Sequence, residues 1–480
     1  MKQLLHKLKQ YKQVQLKLQK KVSLVIKKSE KMGTLPSDTG QQPPAIQMGK
    51  GGPNTQSYDY TWTLEATVNA KSGTKNIEKK TISNSTSDQN QKNGILNIIN
   101  STLKKTEYAT SDDNANFYGL DSVVLANGKK AIATVKNTKI NSNATGANGI
   151  FATNNGTVNV KNTTIKTTGE ANSRGLDATY GGKINADKIK ISTNGDHSAA
   201  VATDGSGGVV KVNNSKITTK GSVSLLVYST GSISLKNVTG IAHGSQIAGM
   251  KDHNKILLNN STLTSTSNKI SGSDPIKNGV IIYQSTSGDA ETAAGKSTSF
   301  NAKNSTLKTK ISSGAMFYVT NITGKINLEN TKLDFSNKKV DLLSVAGNNS
   351  NNWGIKDKNG GHIVLTATKQ KLKGNIVVDT ISSANIKLLK NSTYTGTTSI
   401  ISNKYASSKS KTSLTMNITS NSKWIVTGNS RVTNLNVAKG GKVIDIKGRK
   451  VTINKNGKTV QKGNSPYTIT VTGTFSTNSN

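Results

Sequence analysis

The 480-residue chain has no cysteine, six prolines, three arginines and an aromatic content of only 4%. Without cysteine there is no disulfide framework, no thiolate metal site and no cysteine nucleophile. No stretch reaches the ~18 consecutive apolar residues of a membrane-spanning helix. Hydrophobic residues make up 32% of the chain, thin for the roughly three globular cores that such a length suggests. The histidines at 6, 197, 243, 253 and 362 have no zinc-ligand spacing, and Asp196-His197-Ser198 sets three neighbours in a turn, not a relay. No Gly-x-Ser-x-Gly elbow exists to hold a serine nucleophile. Residues 290–297 approach a phosphate-binding loop but lack its first glycine, and Thr298, Phe300 and Ala302 then alternate as a strand where a helix is required. We therefore expect no cofactor, no metal and no catalytic set.

What is abundant is positive charge. Lys and Arg number 64 against 25 Asp and Glu, a formal net +39; Arg stands only at 174, 431 and 449, so 61 of the cations are Lys. Such a balance directs attention to anionic partners. A sequence-specific nucleic-acid reader would favour arginine and interleaved aromatics, so no specific nucleic acid is expected.

Residues 1–32 place Leu4, Leu8, Tyr11, Leu18, Val22 and Val25 at steps of three and four among lysines, the pattern of a basic amphipathic helix. The alternative is a degenerate secretion leader, since the apolar run Val22–Ile26 is shorter than the ~7 residues that a full leader core needs. Residues 33–57 hold Pro36, Pro43, Pro44 and Pro53 and form a linker.

From Tyr58 onward period-2 runs of Val, Ile, Thr, Ser, Asn and Gly repeat. The template is Gly156-Thr-Val158-Asn-Val160-Lys-Asn162-Thr-Thr-Ile165: a glycine, two inward apolar positions, Asn, then Ile or Leu three residues later. Copies begin at Ala131, Gly182, Gly208, Gly231, Asn254, Thr298 and Gly324, at spacings of 22–26 residues if the 44-residue interval is two turns of 22. Between them lie short apolar strands such as Gly149-Ile-Phe-Ala-Thr and Val280-Ile-Ile-Tyr. Three short strands per period make a parallel β-helix, whose thin coils fill with a few β-branched side chains and need no large core. The corner residues Asn137, Asn162, Asn214, Asn237, Asn260, Asn304 and Asn330 are predicted to adopt the left-handed conformation and to hydrogen-bond from one coil to the next. At ~24 residues per coil and ~4.8 Å per strand spacing, residues 58–475 give about 17 coils and a rod of roughly 80 Å.

Asn84, Asn100, Asn260, Asn304 and Asn391 each begin an Asn-Ser-Thr triplet, a glycosylation pattern that turn formation alone accounts for. Asp177, Asp187, Asp204, Asp252 and Asp289 are too sparse for a lyase or hydrolase; Asp177 and Asp204 lie 27 residues apart and could stack on adjacent coils, but read as solvated strand or corner residues. Lys136, Lys161, Lys190, Lys211 and Lys236 are outward partners in alternating strands, and Lys161, Lys236 and Lys303 share one template position, so a lysine stripe is expected.

Residues 149–165 resemble the passenger repeats of Gram-negative autotransporter adhesins, and Ser422-Lys-Trp424-Ile-Val-Thr-Gly428-Asn-Ser-Arg-Val-Thr-Asn-Leu435 is similar to the stretch such passengers carry before their translocator. The likeness covers about residues 130–475, with Trp424, Gly428 and Leu435 as its most specific part. It implies an all-β, right-handed parallel β-helix of the pectin-lyase-like kind over 58–411, with a C-terminal cap over 412–480. It also implies display on the surface of a Gram-negative cell, or secretion, through an outer-membrane translocator barrel that lies outside this chain. The expected function is non-enzymatic adhesion to host-cell or extracellular polymers, among them anionic polysaccharide, or self-association. A polysaccharide lyase, a hydrolase of the phage-tailspike kind, and a polyanion-binding surface protein are the alternatives.

Overall fold

The computed structural model describes residues 68–479 apart from short stretches, the longest being 107–112 and 286–297. The expected basic helix over 1–32, the linker over 33–57 and the phosphate-loop-like segment 290–297 lie outside the described residues; the chain resumes at Thr298–Lys303 as a strand.

Each coil has three faces. In a typical one, Ile150–Thr153 forms the first, Thr157–Lys161 the second and Thr164–Thr167 the third. First-face strands of successive coils join in a 13-stranded sheet, while second- and third-face strands join in one of 23 strands. Among the described residues every strand pair is parallel except one. Register passes residue for residue, as in Ile150↔Leu176↔Val201↔Val227. The fold is the parallel β-helix that the repeats predict.

The inward rows form one continuous core, with Val158, Ile184, Val210, Ile233 and Ile256 stacked and fully buried. The template glycine follows from backbone crowding. A Cβ on Gly156 would stand 2.3 Å from the carbonyl oxygen of Ala126, and one on Gly182 2.0 Å from that of Ala152, so only glycine lets the second face start so close to the coil beneath.

The predicted corners are all left-handed, with φ between 46° at Asn330 and 56° at Asn237. Their amides form the ladder. Asn137 donates to Asn100 at 2.9 Å, Asn162 to Asn137 at 3.2 Å, Asn237 to Asn214 at 2.9 Å and Asn330 to Asn304 at 2.9 Å. Lys188 replaces Asn in one coil at φ 54°, and there Asn214 donates to Asp187 instead, at 2.8 Å. After most corners a buried hydroxyl residue turns back on the chain, as Thr163 does to the Lys161 carbonyl at 2.9 Å; Val238 follows Asn237 and Ile189 follows Lys188 instead. Replacing Asn162 by Ala should cost about 1–2 kcal/mol, because the left-handed backbone loses its self-satisfying side chain. Asn162→Gly should cost less and Asn162→Val more. Urea midpoints of the three variants measure the order; an indifferent corner would give equal values.

Two expectations are corrected. The 44-residue interval between Asn260 and Asn304 is one coil, not two, for Lys255–Asn259 pairs directly with Thr298–Lys303. The extra length lies in segments 266–277 and 284–297, which flank the strand Asn278–Tyr283. Similar insertions occupy 106–123, 346–361 and 402–413. They consume chain without adding coils, so among the described residues the second face stacks 15 strands, from Thr74–Glu78 to Phe475–Ser479, where about 17 coils were expected, and the rod spans roughly 70 Å at ~4.8 Å per strand.

Near the C-terminal end a hairpin interrupts the parallel pattern, which resumes in Thr468–Val471 and Phe475–Ser479. Thr452–Lys455 and Lys458–Gln461 pair antiparallel around Asn456-Gly457, both at positive φ (48° and 81°), as a tight two-residue hairpin requires.

Candidate functional site

The first-face strands are buried on both sides, as in Val124–Asn127, Ile150–Thr153 and Ala315–Thr320. Inward residues enter the core, and the insertions cover the outward row. The helix Asp113–Tyr118 lies over one end. There the Thr179 hydroxyl donates to the Phe117 carbonyl at 2.7 Å, and Tyr118 stacks on Tyr180 with centroids 5.6 Å apart. Segment 346–361 brings Trp353 flat against Tyr283, 4.6 Å between centroids at 14°, over Ile281 and Tyr318. Segment 402–413 sends the Asn403 amide to Asp379 at 2.7 Å.

Between these covers runs a string of buried ionisable groups. Arg174 reaches across the face to two carboxylates, 3.2 Å from Asp177 and 2.9 Å from Asp204, and Asp177 is fully buried while Asp204 is 3% exposed. Register carries the row from Asp177 through Ala202 to Tyr228, and the adjoining row places Lys251 beside Tyr283. Burial pushes the Asp177 and Asp204 carboxyls up, against the pull of the Arg174 guanidinium on both. Burial also lowers Lys251 to about 8, opposed by Asp252 and Asp204, and raises Asp252 to about 7, opposed by Lys251. Clustered, shifted groups of this kind occur at functional sites and in structural ion networks alike.

Asp177 and Asp204 are therefore not the solvated residues expected. They are brought together by Arg174 on adjacent first-face strands, sealed from solvent. Asp252 joins the same side and Asp187 sits at the opposite corner, while Asp289 falls outside the described residues. The missed signal was present. Leu176-Asp177-Ala178 is an acid inside an apolar strand, and first-face segments such as Val280-Ile-Ile are unbroken apolar runs, which mark burial on both faces. Arginine was the second signal. Two of the three arginines hold buried carboxylates, Arg174 here and Arg449 at Asp445, 2.7 Å away; a planar fork suits a buried pair better than lysine's point charge. Desolvation opposes ionisation of Asp445, but the Arg449 backbone and side chain and the Lys447 N–H hold its carboxyl at about 2.

No protein-family model, curated protein or solved structure matches the chain. Its chemistry is thus to be read from its own side chains. Trp424 is fully buried, donates its indole N–H to the Gly396 carbonyl at 3.0 Å and stacks on Tyr394 with centroids 5.8 Å apart. Leu435 is fully buried in register with Met416 and Phe475, and Gly428 lies against the Thr397 methyl. All three motif residues thus occupy the packed interior of the C-terminal coils or its margin. Ser198 donates to the Asp196 backbone carbonyl at 2.9 Å while His197 meets the Asp196 carboxylate, so the three neighbours form no relay through the serine. Among the described residues no group of three or more His, Asp or Glu is placed to hold a metal.

The outer rows of the second and third faces are open to solvent. Lys136, Lys161, Lys190, Lys211 and Lys236 are all exposed. The predicted stripe exists, but register makes it Lys136, Lys161, Asp187, Asn213, Lys236, Asn259, Lys303, with acid and amide between the lysines. A second asparagine ladder, unforeseen, runs beside it: Asn97 to Asn76 at 2.8 Å, Asn185 to Asn159 at 3.0 Å and Asn327 to Asn301 at 2.8 Å.

One carboxyl of the covered face gives a direct pH test. Asp274 accepts from Gln246 at 2.9 Å and Asn278 at 2.7 Å, yet desolvation outweighs both bonds and raises it to about 7. A folded-state value above the unfolded one means that its stabilisation is complete below about pH 4 and is lost as pH rises through 7. The melting temperature should fall between pH 5 and 8, and Asp274→Asn, whose amide oxygen can accept the same two bonds, should flatten that slope. An unchanged slope would contradict the assignment.

Proposed function

We propose that this chain is a non-enzymatic, surface-displayed passenger of the autotransporter type, acting in adhesion, self-association or biofilm formation. The observation that carries the reading is the long solenoid with two open lateral faces on which side chains recur in register from coil to coil. Such a rod holds a repeating surface rigid along its length. The likeness of residues 422–435 to the pre-translocator stretch supports it further, because a tightly packed C-terminal end suits a segment that leaves the pore first and templates the coils behind it. Cleavage of a polysaccharide has less support, since Asp177 and Asp204 are withdrawn beneath the cover and share one arginine.

The test is to express the tagged gene with its native flanking DNA in a Gram-negative host and treat intact cells with protease. Loss of the tagged protein from the surface, with faster sedimentation of expressing cells, is the expected result. Protein that stays protected until the cells are lysed would overturn the reading.

A further inference from the structure

The charge of the rod is segregated. Asp177, Asp204, Asp252 and Asp379 are at most 3% exposed and lie on the covered first-face side. On the second and third faces, the coils that begin at Ile132, Thr157, Lys183, Val209 and Ser232 carry two, two, three, two and one exposed lysines, ten in all, against one carboxylate, Asp187; the turns beyond the third face add Lys220, Glu170 and Asp196. Most of the acids of these coils are thus turned away from the two open faces.

The lysines are also stacked. Lys136 pairs in register with Lys161 and Lys190 with Lys216, one strand spacing apart, a juxtaposition that costs stability. Among the described residues no carboxylate ion-pairs any of these ten face lysines. Further along the rod the sequence does supply partners between coils: Lys303 meets Glu329 at 2.9 Å and Lys308 meets Asp334 at 2.8 Å. The unneutralised zone is therefore bounded, about five strand spacings or ~25 Å long.

We infer that this zone, straddling the asparagine corner, is the docking surface for a linear acidic polysaccharide lying along the rod axis. Lysines on both sides of the corner, Lys136, Lys161 and Lys236 before it and Lys139, Lys190 and Lys216 after it, form two parallel tracks, with the corner Asn residues and Lys188 between them. Ammonium groups meet carboxylates or sulfates, and the Asn, Ser and Thr rows offer amides and hydroxyls to sugar hydroxyls. A nucleic acid fits less well, because these five coils present neither aromatic side chains for base stacking nor arginine forks on the two faces. The inference rests on the adhesive reading only in taking the open lateral faces as the working surface.

The experiment uses purified full-length chain and polygalacturonate as probe, so its outcome is independent of surface display. Two quadruple variants remove equal charge: K139Q/K188Q/K190Q/K216Q in the zone, and K371Q/K373Q/K423Q/K442Q at exposed positions near the C-terminal end. At ~0.1 M salt the zone variant should bind at least ~tenfold more weakly, with a shallower salt dependence, while the distal variant changes less than ~threefold. An unchanged circular dichroism spectrum and a melting temperature no lower than that of the parent chain verify folding. Equal losses in the two variants would mean that diffuse net charge does the binding and would overturn the proposal. So would tighter binding of single-stranded DNA than of polygalacturonate at matched charge.

Discussion

Replacing Trp424 by alanine should cost about 3–5 kcal/mol, the largest effect expected of any single core substitution here. The side chain is fully buried among the C-terminal coils, in register between Tyr394 below and Val443 above. Its removal leaves a cavity that Tyr394 cannot close, since the Tyr394 hydroxyl is tied to the Thr397 carbonyl at 2.6 Å. Trp424→Phe keeps most of the packing and loses the bond to Gly396, so its cost should be nearer ~1 kcal/mol. Because a solenoid can lose its end before its middle, hydrogen exchange should show the loss first in Leu414–Ile418 and Asn434–Ala438, strands that flank the tryptophan in sequence. Equal destabilisation by Ala and Phe would show that the hydrogen bond, and not the volume, matters.

The second large effect is expected at Arg174. Truncation to alanine strips the cation from two buried carboxylates, which should cost about 3–5 kcal/mol. The loss should depend on pH. Without the guanidinium both carboxyls are held still further above the unfolded value, so the variant is least impaired near pH 5, where they can take up protons, and worst near pH 8. Urea midpoints at the two pH values test this, and a pH-independent loss would place the arginine's contribution in packing alone. Replacing Arg174, Asp177 and Asp204 together by Met, Leu and Leu should restore most of the stability, since an apolar substitute removes the buried charges along with their counter-ion.

The architecture was legible because a coil repeats its chemistry at fixed spacing. The Asn corners, the template glycines and the inward Val and Ile positions each answer one steric demand, and that demand recurs in every coil. The number of coils was harder to read, because an insertion and an extra coil lengthen the interval between corners alike; the 44 residues from Asn260 to Asn304 fit either until Lys255–Asn259 is seen to pair with Thr298–Lys303. The covered side of the first face was the least legible. Its cover comes from non-repeating segments, so no periodicity announces that Asp177 is buried or that Trp353 lies on Tyr283. The tripeptide Leu176-Asp177-Ala178 and the scarcity of arginine were the available hints, and both concern single residues, to which repeat detection is blind.

The residue-for-residue register has a consequence for how such a chain can change length. Strand Thr157–Lys161 rests on Ile132–Lys136, which rests in turn on Ile95–Ile99, each in the same phase. In-frame loss of residues 132–156 would set Thr157–Lys161 directly on Ile95–Ile99, with Asn162 one step from Asn100. Recombination between two repeats of the gene can therefore shorten or extend the rod by one strand spacing at a time without a new core having to evolve. Reach becomes a heritable quantity that varies in fixed increments, separately from the chemistry displayed along the sides.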